Sequence, residues 1–368
     1  LHAGACAAMN VAIRVDASTT IGTGHLERCR TLANALQARG ASVQFIGRAH
    51  AGHGLEGLRQ EGFAVAALPA PKKATAEAAS EDYAHWLGVS QEQDAEETIA
   101  ALEGSPDWLV VDHYGLDAEW EKRLRPHAGQ ILAIDDLANR AHDCDALVDQ
   151  NYSPTAGNRY TDLVPPDTTP LLGPTYALLR PEYAEERQKR RPHSGAMERI
   201  FVFFGGTDPD NLTGRALSAL SDSVFADVAV DVVVGPNNPH REELEAQAEA
   251  RPGITLHPPR PHLGDLMAAA DLAIGAGGTT TWERFCVELP ALVVSIADNQ
   301  RPACEALAAD DLIAYLGHHD RVTVPGLREA LQALRETPER LRHLAEAGRR
   351  TVDGAGTQRV VDHLTRTL

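Results

Sequence analysis

Short runs of β-branched and aliphatic residues alternate with amphipathic helical patterns along almost the whole chain, and this alternation constrains the fold more than any other feature. A strand, a helix and a further strand bury one another only when the strands run parallel and helices cover the sheet, so the pattern reads as α/β. Residues 11–15 form the first strand candidate. A loop and a helix from His25 follow, in which Leu26, Cys29, Leu32, Ala33 and Leu36 recur at three- and four-residue spacing and Gly40 ends the run. Residues 43–46, 65–68, 108–112, 131–135 and 146–149 continue the strand series. A charged helical stretch at 182–191 leads into Pro192-His193-Ser194-Gly195, which reads as a linker. The pattern then restarts with strand candidates at 200–204, 228–234, 254–257, 272–274 and 292–295. Residues 325–368 read as helical with one break at 354–356.

A chain of 368 residues exceeds one comfortable core, and the restart after the linker divides it in two. The expected organisation is a loose extension or tag remnant at 1–8, an N-terminal Rossmann-like domain at 9–192 and a C-terminal one at 198–368. The last helix is placed so that it can pack back on the first domain. Open α/β sheets bind ligands outside the carboxyl ends of their strands, so two such halves are expected to face each other across a binding cleft.

Charge narrows the partners. The 34 basic and 52 acidic side chains leave a net charge of −18, which repels nucleic acid and anionic membranes, so neither is an expected partner. An anionic substrate would need positive potential built inside its site. The five cysteines, Cys6, Cys29, Cys144, Cys286 and Cys304, are scattered without a Cys-x-x-Cys pair, which argues against a disulfide framework or a zinc ribbon. With no apolar run of membrane-spanning length and no leader-like start, the expectation is a cytoplasmic enzyme, monomeric or weakly dimeric, without membrane insertion.

Four strand-to-helix junctions carry chemistry. The first, residues 16–25, is Asp-Ala-Ser-Thr-Thr-Ile-Gly-Thr-Gly-His; Gly22 and Gly24 allow close backbone approach and the helix start attracts anions. His25 at its mouth can transfer a proton near neutral pH, or can simply hydrogen-bond the loop, and the spacing leaves these two readings even. The second junction contains Gly205, Gly206, Thr207, Asp208 and Asn211, with capping the better reading of Asn211. The third, Gly277, Gly278, Thr279, Thr280 and then Glu283, presents N–H and hydroxyl donors suited to a phosphate, while Glu283 could hold a ribose diol or complement the helix dipole. The fourth, residues 296–301, offers Asn299 or Gln300, with Asp298 as a cap.

Asp112-His113-Tyr114 and Asp135-Asp136 stand at strand ends. The adjacent pair would point apart on a continuing strand, and no further residue at helical spacing completes a ligand set, so no metal and no cofactor are expected. His318-His319 reads as a solvated loop and the 187–191 arginine run as a solvated helix face. Walker-type phosphate loops and Gly-x-Ser-x-Gly nucleophile elbows are both absent from the sequence.

Taken in order, these segments resemble those of the UDP-sugar hydrolases of pseudaminic acid biosynthesis, which release UDP from UDP-2,4-diacetamido-2,4,6-trideoxy-β-L-altropyranose. The matching stretches begin at Arg14, Val111, Ile134, Asp149 and Gly173 in the first half and at Phe204, Gly277 and Ala297 in the second. The resemblance covers nearly the whole chain from Met9. It implies a GT-B fold, like that of the glycosyltransferase that makes lipid II. It also implies His25 as catalytic base, Tyr114 in the cleft, and UDP contacts on 277–283 with Asn299 nearby.

The expected reaction is metal-independent hydrolysis of a UDP-sugar at the anomeric carbon with inversion. A GT-B glycosyltransferase with an acceptor hydroxyl in place of water is the nearest alternative. A hydrolase of a related nonulosonic acid or surface polysaccharide pathway, a UDP-sugar 2-epimerase and a non-catalytic nucleotide-sugar sensor are the others.

Overall fold

Strand β1 (Asn10–Val15) is flanked on both sides, pairing in parallel with β2 (Ser42–Arg48) and with β4 (Trp108–Asp112). This is a computed structural model, and it describes residues 8–71, 83–235 and 237–367. With β3 (Ala64–Leu68), β5 (Gln130–Ile134), β6 (Ala146–Asp149) and β7 (Thr169–Leu172), the sheet runs β3-β2-β1-β4-β5-β6-β7, all parallel. Alternation along β1 explains its two faces. Val11, Ile13 and Val15 pack with helix α1 (Gly24–Ala38) and the helix Gly356–Arg366, whereas Ala12 joins Leu109, Val111, Trp120 and Leu124 on the opposite side.

The α1 stripe foreseen in the sequence is the buried one: Leu26, Cys29, Leu32, Ala33 and Leu36 are all 5% exposed or less. Each fully buried leucine there contributes about 1.5–3 kcal/mol. That burial fixes the axial rotation of α1, and so fixes where the polar residues of its first turn point.

A second sheet is built on the same plan. Its strands are β8 (Arg199–Phe203), β9 (Ala229–Val233), β10 (Ile254–His257), β11 (Leu272–Ala276), β12 (Ala291–Ser295) and β13 (Ala314–His318), in the parallel order β10-β9-β8-β11-β12-β13. Ile200, Val202, Val230, Val232, Ile274 and Leu292 form its core with the flanking helices.

Chain contacts divide the molecule into two units. One holds residues up to Asn151, Thr155–Leu178 and Ala355–Leu368; the other holds Tyr152–Pro154 and Leu179–Gly354. The helix Pro181–Lys189 and the segment 192–195 therefore both lie in the second unit, where the Tyr183 ring packs against Gly264.

Several sequence expectations need correction. β7 and β13 had no counterpart among the expected strands. Thr-Pro-Leu-Leu and Ala-Tyr-Leu-Gly-His carry few β-branched residues, and both are edge strands held by one neighbour. The C-terminal helical stretch has a second break, between Val324–Arg335 and Pro338–Thr351, because Pro338 cannot continue a helix. Of the 187–191 run, Gln188, Lys189 and Arg191 are exposed as expected, but Arg187 and Arg190 are not part of a solvated face. Arg187 donates to the carbonyls of Cys286 and Val352, and Arg190 to those of Met267, Ala268 and Ala270, so both satisfy carbonyls left open at segment ends. His318 ends β13 rather than lying in a loop, with Nε2 3.5 Å from Asp298. The expected extension at 1–8 lies, apart from Ala8, outside the described residues.

Candidate functional site

Both sheets reverse their strand order once, at β1/β4 in the first and β8/β11 in the second. At such a point the flanking connections leave toward opposite faces and open a crevice at the strands' carboxyl ends. Of the four strand-to-helix junctions picked out in the sequence, the three that carry glycine flank one of these two reversals.

In the first unit the loop after β1 is anchored by a buried ion cluster. Arg14 Nη1 and Nη2 donate to Asp16 at 2.6 and 2.9 Å, and Arg14 and Arg48 both donate to Asp94, at 2.7 and 2.6 Å. Burial works against the Asp16 charge, but Arg14, His113 and His50 outweigh it and hold the carboxyl well below its usual range. The loop then turns on itself. Ser18 Oγ accepts from the backbone N–H groups of Thr20 and Ile21, and Gly22 N–H donates to the Ser18 carbonyl at 2.9 Å. Gly22 has φ +78°, a conformation that favours glycine. Gly24 is the first residue of α1 and His25 the second.

His25 is 9% exposed, and its imidazole meets β4. Its Nδ1 lies 2.6 Å from Asp112 Oδ1, the carboxylate at the end of that strand. Arg28 Nη2 is 3.2 Å from the same Nδ1, a hydrogen bond only if that nitrogen is bare. The much shorter contact to a carboxylate acceptor selects the Nδ1–H tautomer and leaves the lone pair on Nε2. Nε2 has no hydrogen-bond partner among the described residues.

Arg28, one helical turn after His25, completes the cluster. Nε and Nη2 donate to the two oxygens of Asp112, each at 2.6 Å, and Nη1 donates to Asp136 Oδ2 at 2.5 Å. Burial opposes the Asp112 charge, yet Arg28 and His25 hold its carboxyl far below the ordinary range, so it is an anion at any working pH. The Tyr114 hydroxyl donates to Asp136 Oδ2 at 2.7 Å, and its ring meets the His25 ring edge-on at 4.5 Å between centroids. Burial and the Asp136 charge push that hydroxyl well above the usual phenol range, so it stays protonated. Trp86 stacks on Tyr114 with centroids 5.5 Å apart. A cavity of about 370 Å³ opens beside the loop, lined by Ser18, Thr20, Ile21, His50, His85 and Trp86 among others.

Asp112, Arg28, Asp136 and Trp86 are the residues that sequence reasoning did not assign to the base. Asp112 was legible only as a strand-end acid, because its partnership spans 87 positions. Asp135 and Asp136 do diverge: Asp135 pairs with Arg140 at 2.7 Å and accepts from Tyr160 at 3.0 Å, while Asp136 faces Arg28 and Tyr114. Among the described residues no group of three or more His, Cys, Asp or Glu side chains could hold a metal ion. None of their helices is long and apolar enough to cross a membrane.

In the second unit, Gly205 (φ +92°) and the exposed Gly206 and Thr207 form the turn after β8. Gly235, just past β9, lies under this turn; a Cβ there would stand 2.1 Å from the Gly206 carbonyl oxygen. Asp208 caps the next helix by accepting from Leu212 and Thr213 N–H at 2.9 Å each, and Asn211 accepts from Gly214 N–H at 3.0 Å.

Across the reversal, Gly277 and Gly278 lead into Thr279 and the helix Thr280–Cys286. A Cβ on Gly277 would stand 2.1 Å from Cys304 Sγ, so only glycine lets the turn pass this thiol. Buried Arg284 fastens the turn from below, donating to the Ala276 carbonyl and to Thr281 Oγ1 at 2.8 and 2.9 Å. Glu283 faces the buried Tyr183, whose hydroxyl is pushed up by burial and by the Glu283 charge. Gln300 lies against the Gly277–Gly278 turn, its Oε1 accepting from Ile296 N–H at 3.0 Å, whereas Asn299 is exposed.

Two parallel sheets of this order make up the GT-B fold. The chain superimposes on MurG of Acinetobacter baumannii with a TM-score of 0.65 at 15% identity, covering 97% of this chain and 99% of that one. A putative UDP-N-acetylglucosamine 2-epimerase of Listeria monocytogenes gives 0.62 at 13% identity, covering 98% and 97%. In sequence, the chain is 26% identical over 301 residues to the UDP-2,4-diacetamido-2,4,6-trideoxy-β-L-altropyranose hydrolase of Campylobacter jejuni, covering 82% of this chain and 96% of that protein. It is 28% identical over 259 residues to a spore coat polysaccharide biosynthesis protein of Bacillus subtilis, covering 69% and 75%. No family model matches the chain.

Proposed function

We propose that the chain hydrolyses a UDP-linked diacetamido-trideoxy-hexose at its anomeric C–O bond with inversion, releasing UDP and the free sugar for nonulosonic acid synthesis of the pseudaminic type. The observation that carries this reading is the His25–Asp112 pair at the β1/β4 reversal, a base already held in its working tautomer. The similarity to the Campylobacter jejuni hydrolase over most of both chains supports this substrate class.

Asp112 accepts the Nδ1–H hydrogen bond and stays ionised, and His25 Nε2 takes a proton from water as its oxygen bonds to C1, which leaves an imidazolium beside the carboxylate. The C1–O bond to UDP breaks, its electron pair leaves with the diphosphate, and the imidazolium later returns its proton to solvent. A positioned base of this kind is worth ~10²–10⁴-fold. Tyr114 steadies the imidazole with its ring edge and keeps its oxygen lone pairs for a sugar hydroxyl or the water. Gly22 and Gly24 bring the loop backbone close to the sugar. The turns at Gly205–Gly206 and at Gly278, Thr279 and Thr280 receive the diphosphate through backbone N–H and hydroxyl donors, with Glu283 and Asn299 on the nucleoside side.

The fold also supports a glycosyltransferase reading, because the same Nε2 would deprotonate an acceptor hydroxyl as readily as water. Incubation with candidate UDP-sugars in ¹⁸O-water, without acceptor, separates the two. Hydrolysis puts label in the free sugar. No UDP release without an acceptor would make the chain a transferase, label in UDP would mean attack at phosphorus, and unchanged release by His25→Ala would remove the base.

A further inference from the structure

We propose that Arg28 is a positioning residue that ties both candidate catalytic side chains to one clamp, its guanidinium spanning the carboxylate that holds His25 and the carboxylate that holds Tyr114. The inference rests on the reading of His25 as a base and goes beyond it, since it assigns the control of that base to a residue that touches no substrate.

The geometry is specific to arginine. Nε and Nη2 engage both oxygens of Asp112 side-on, and Nη1 reaches Asp136, so one planar fork fills two acceptor sites on different strand ends. Asp112 is fully buried and Asp136 nearly so, while Arg28 itself is 4% exposed. The neighbouring carboxylates have cations of their own, Arg140 for Asp135 and Arg159 for Asp149. Arg28 is thus the cation shared by the two carboxylates of the His25–Tyr114 cluster.

The charge balance says what this sharing does. With Arg28 in place the Asp112 charge is neutralised, and the imidazole can stay neutral with its proton on Nδ1. Without Arg28, a bare carboxylate is left in a dry site, and the nearest available proton acceptor that can relieve it is His25 Nε2. The base would then sit as imidazolium, already spent. The other groups facing the ring do not substitute. The Cys29 thiol is pushed up by burial and by Asp112 and stays neutral, Tyr114 stays protonated, and Arg140 lies 5.8 Å from the Tyr114 ring centroid and pairs with Asp135. On α1 itself, Glu27 pairs with Arg30.

Three variants test the clamp: Arg28→Gln, Arg28→Lys and Asp136→Asn. Each is read by the pH profile of kcat/KM for UDP release and, without substrate, by ¹⁵N chemical shifts of the His25 ring. Arg28→Gln is expected to move the acid limb of activity upward by about one pH unit or more and to show imidazolium shifts at pH 7. Arg28→Lys keeps the charge, so the limb stays while kcat falls at every pH, because one ammonium cannot fill three fixed acceptor positions. Asp136→Asn frees Arg28 to serve Asp112 alone and moves the limb downward, an outcome that remains readable if Arg28→Gln does not fold. Arg28→Gln lowering kcat equally at all pH with a neutral His25 ring would overturn the clamp. So would Asp136→Asn leaving the limb in place. The ring shifts need no substrate, so they fail independently of the hydrolase reading, which falls on the His25→Ala result instead.

Discussion

The Asp112 carboxylate stands 2.6 Å from Nδ1 of His25, and that contact decides which nitrogen of the ring can act as a base. Asp112→Asn keeps the size but replaces an acceptor with an amide that can donate to Nδ1, which moves the ring proton to Nε2. The expected result is a kcat loss of ~10²–10⁴-fold with little change in KM, since the lost group acts through the base. The double variant with His25→Ala should be no worse than His25→Ala alone. Steady-state kinetics on the single and double variants check this, and additive losses would separate the two residues.

Gly277 predicts a different kind of coupling. An alanine Cβ there would stand 2.1 Å from the buried Cys304 Sγ, so Gly277→Ala should destabilise the protein by ~1–3 kcal/mol through overpacking. Its neighbour is the end of a side chain, so Cys304→Gly should restore room. Denaturant unfolding of the two single variants and the double should give a double-mutant cycle with favourable coupling. A double variant as unstable as the sum of its parts would mean the clash is not what glycine avoids.

Gly235→Ala should behave in the opposite way. Its Cβ would meet the Gly206 carbonyl oxygen at 2.1 Å, and a backbone atom cannot be trimmed away by a second substitution. The Gly205–Gly206 turn must shift, so UDP affinity should fall ~10-fold or more, in line with the loss of one or two diphosphate hydrogen bonds. Titration calorimetry with UDP reads this directly. Unchanged affinity would remove the Gly205–Gly206 turn from the diphosphate site.

Most of the strand series and the three glycine junctions were legible because both depend on local pattern: β-branched runs, three- and four-residue spacing, and glycine where the backbone turns. His25 was legible as a residue at a loop mouth and no further. Its meaning came from Asp112, and that pairing depends on β4 lying beside β1 although β2 and β3 come between them in sequence. Local periodicity does not encode strand order, so the acid of Asp112-His113-Tyr114 could be seen at a strand end but not matched to its histidine. The arginines at 187 and 190 misled for a related reason, since their carbonyl partners lie roughly 80 to 165 positions away. Edge strands such as β13 escaped because one-sided pairing tolerates residues with weak strand preference.

His142 provides a test of stability rather than activity. Burial favours the neutral ring, but Asp135 and Glu121 outweigh it and push the group up to about 9. Glu121 is the hydrogen-bonded partner, 2.8 Å from Nδ1, while Asp135 at 3.9 Å acts through charge alone. A raised folded value means that the protonated ring stabilises the native state. The contribution is full below the unfolded value near ~6.5 and is lost as pH rises through about 9. Its size at low pH is on the order of 3 kcal/mol. His142→Gln should therefore be less stable than the wild type at pH 6 by about this amount, with the gap closing at pH 9.5 to whatever the lost packing costs. Urea unfolding of both proteins at the two pH values measures the gap, and a gap that does not narrow would show that His142 is not charged in the native protein.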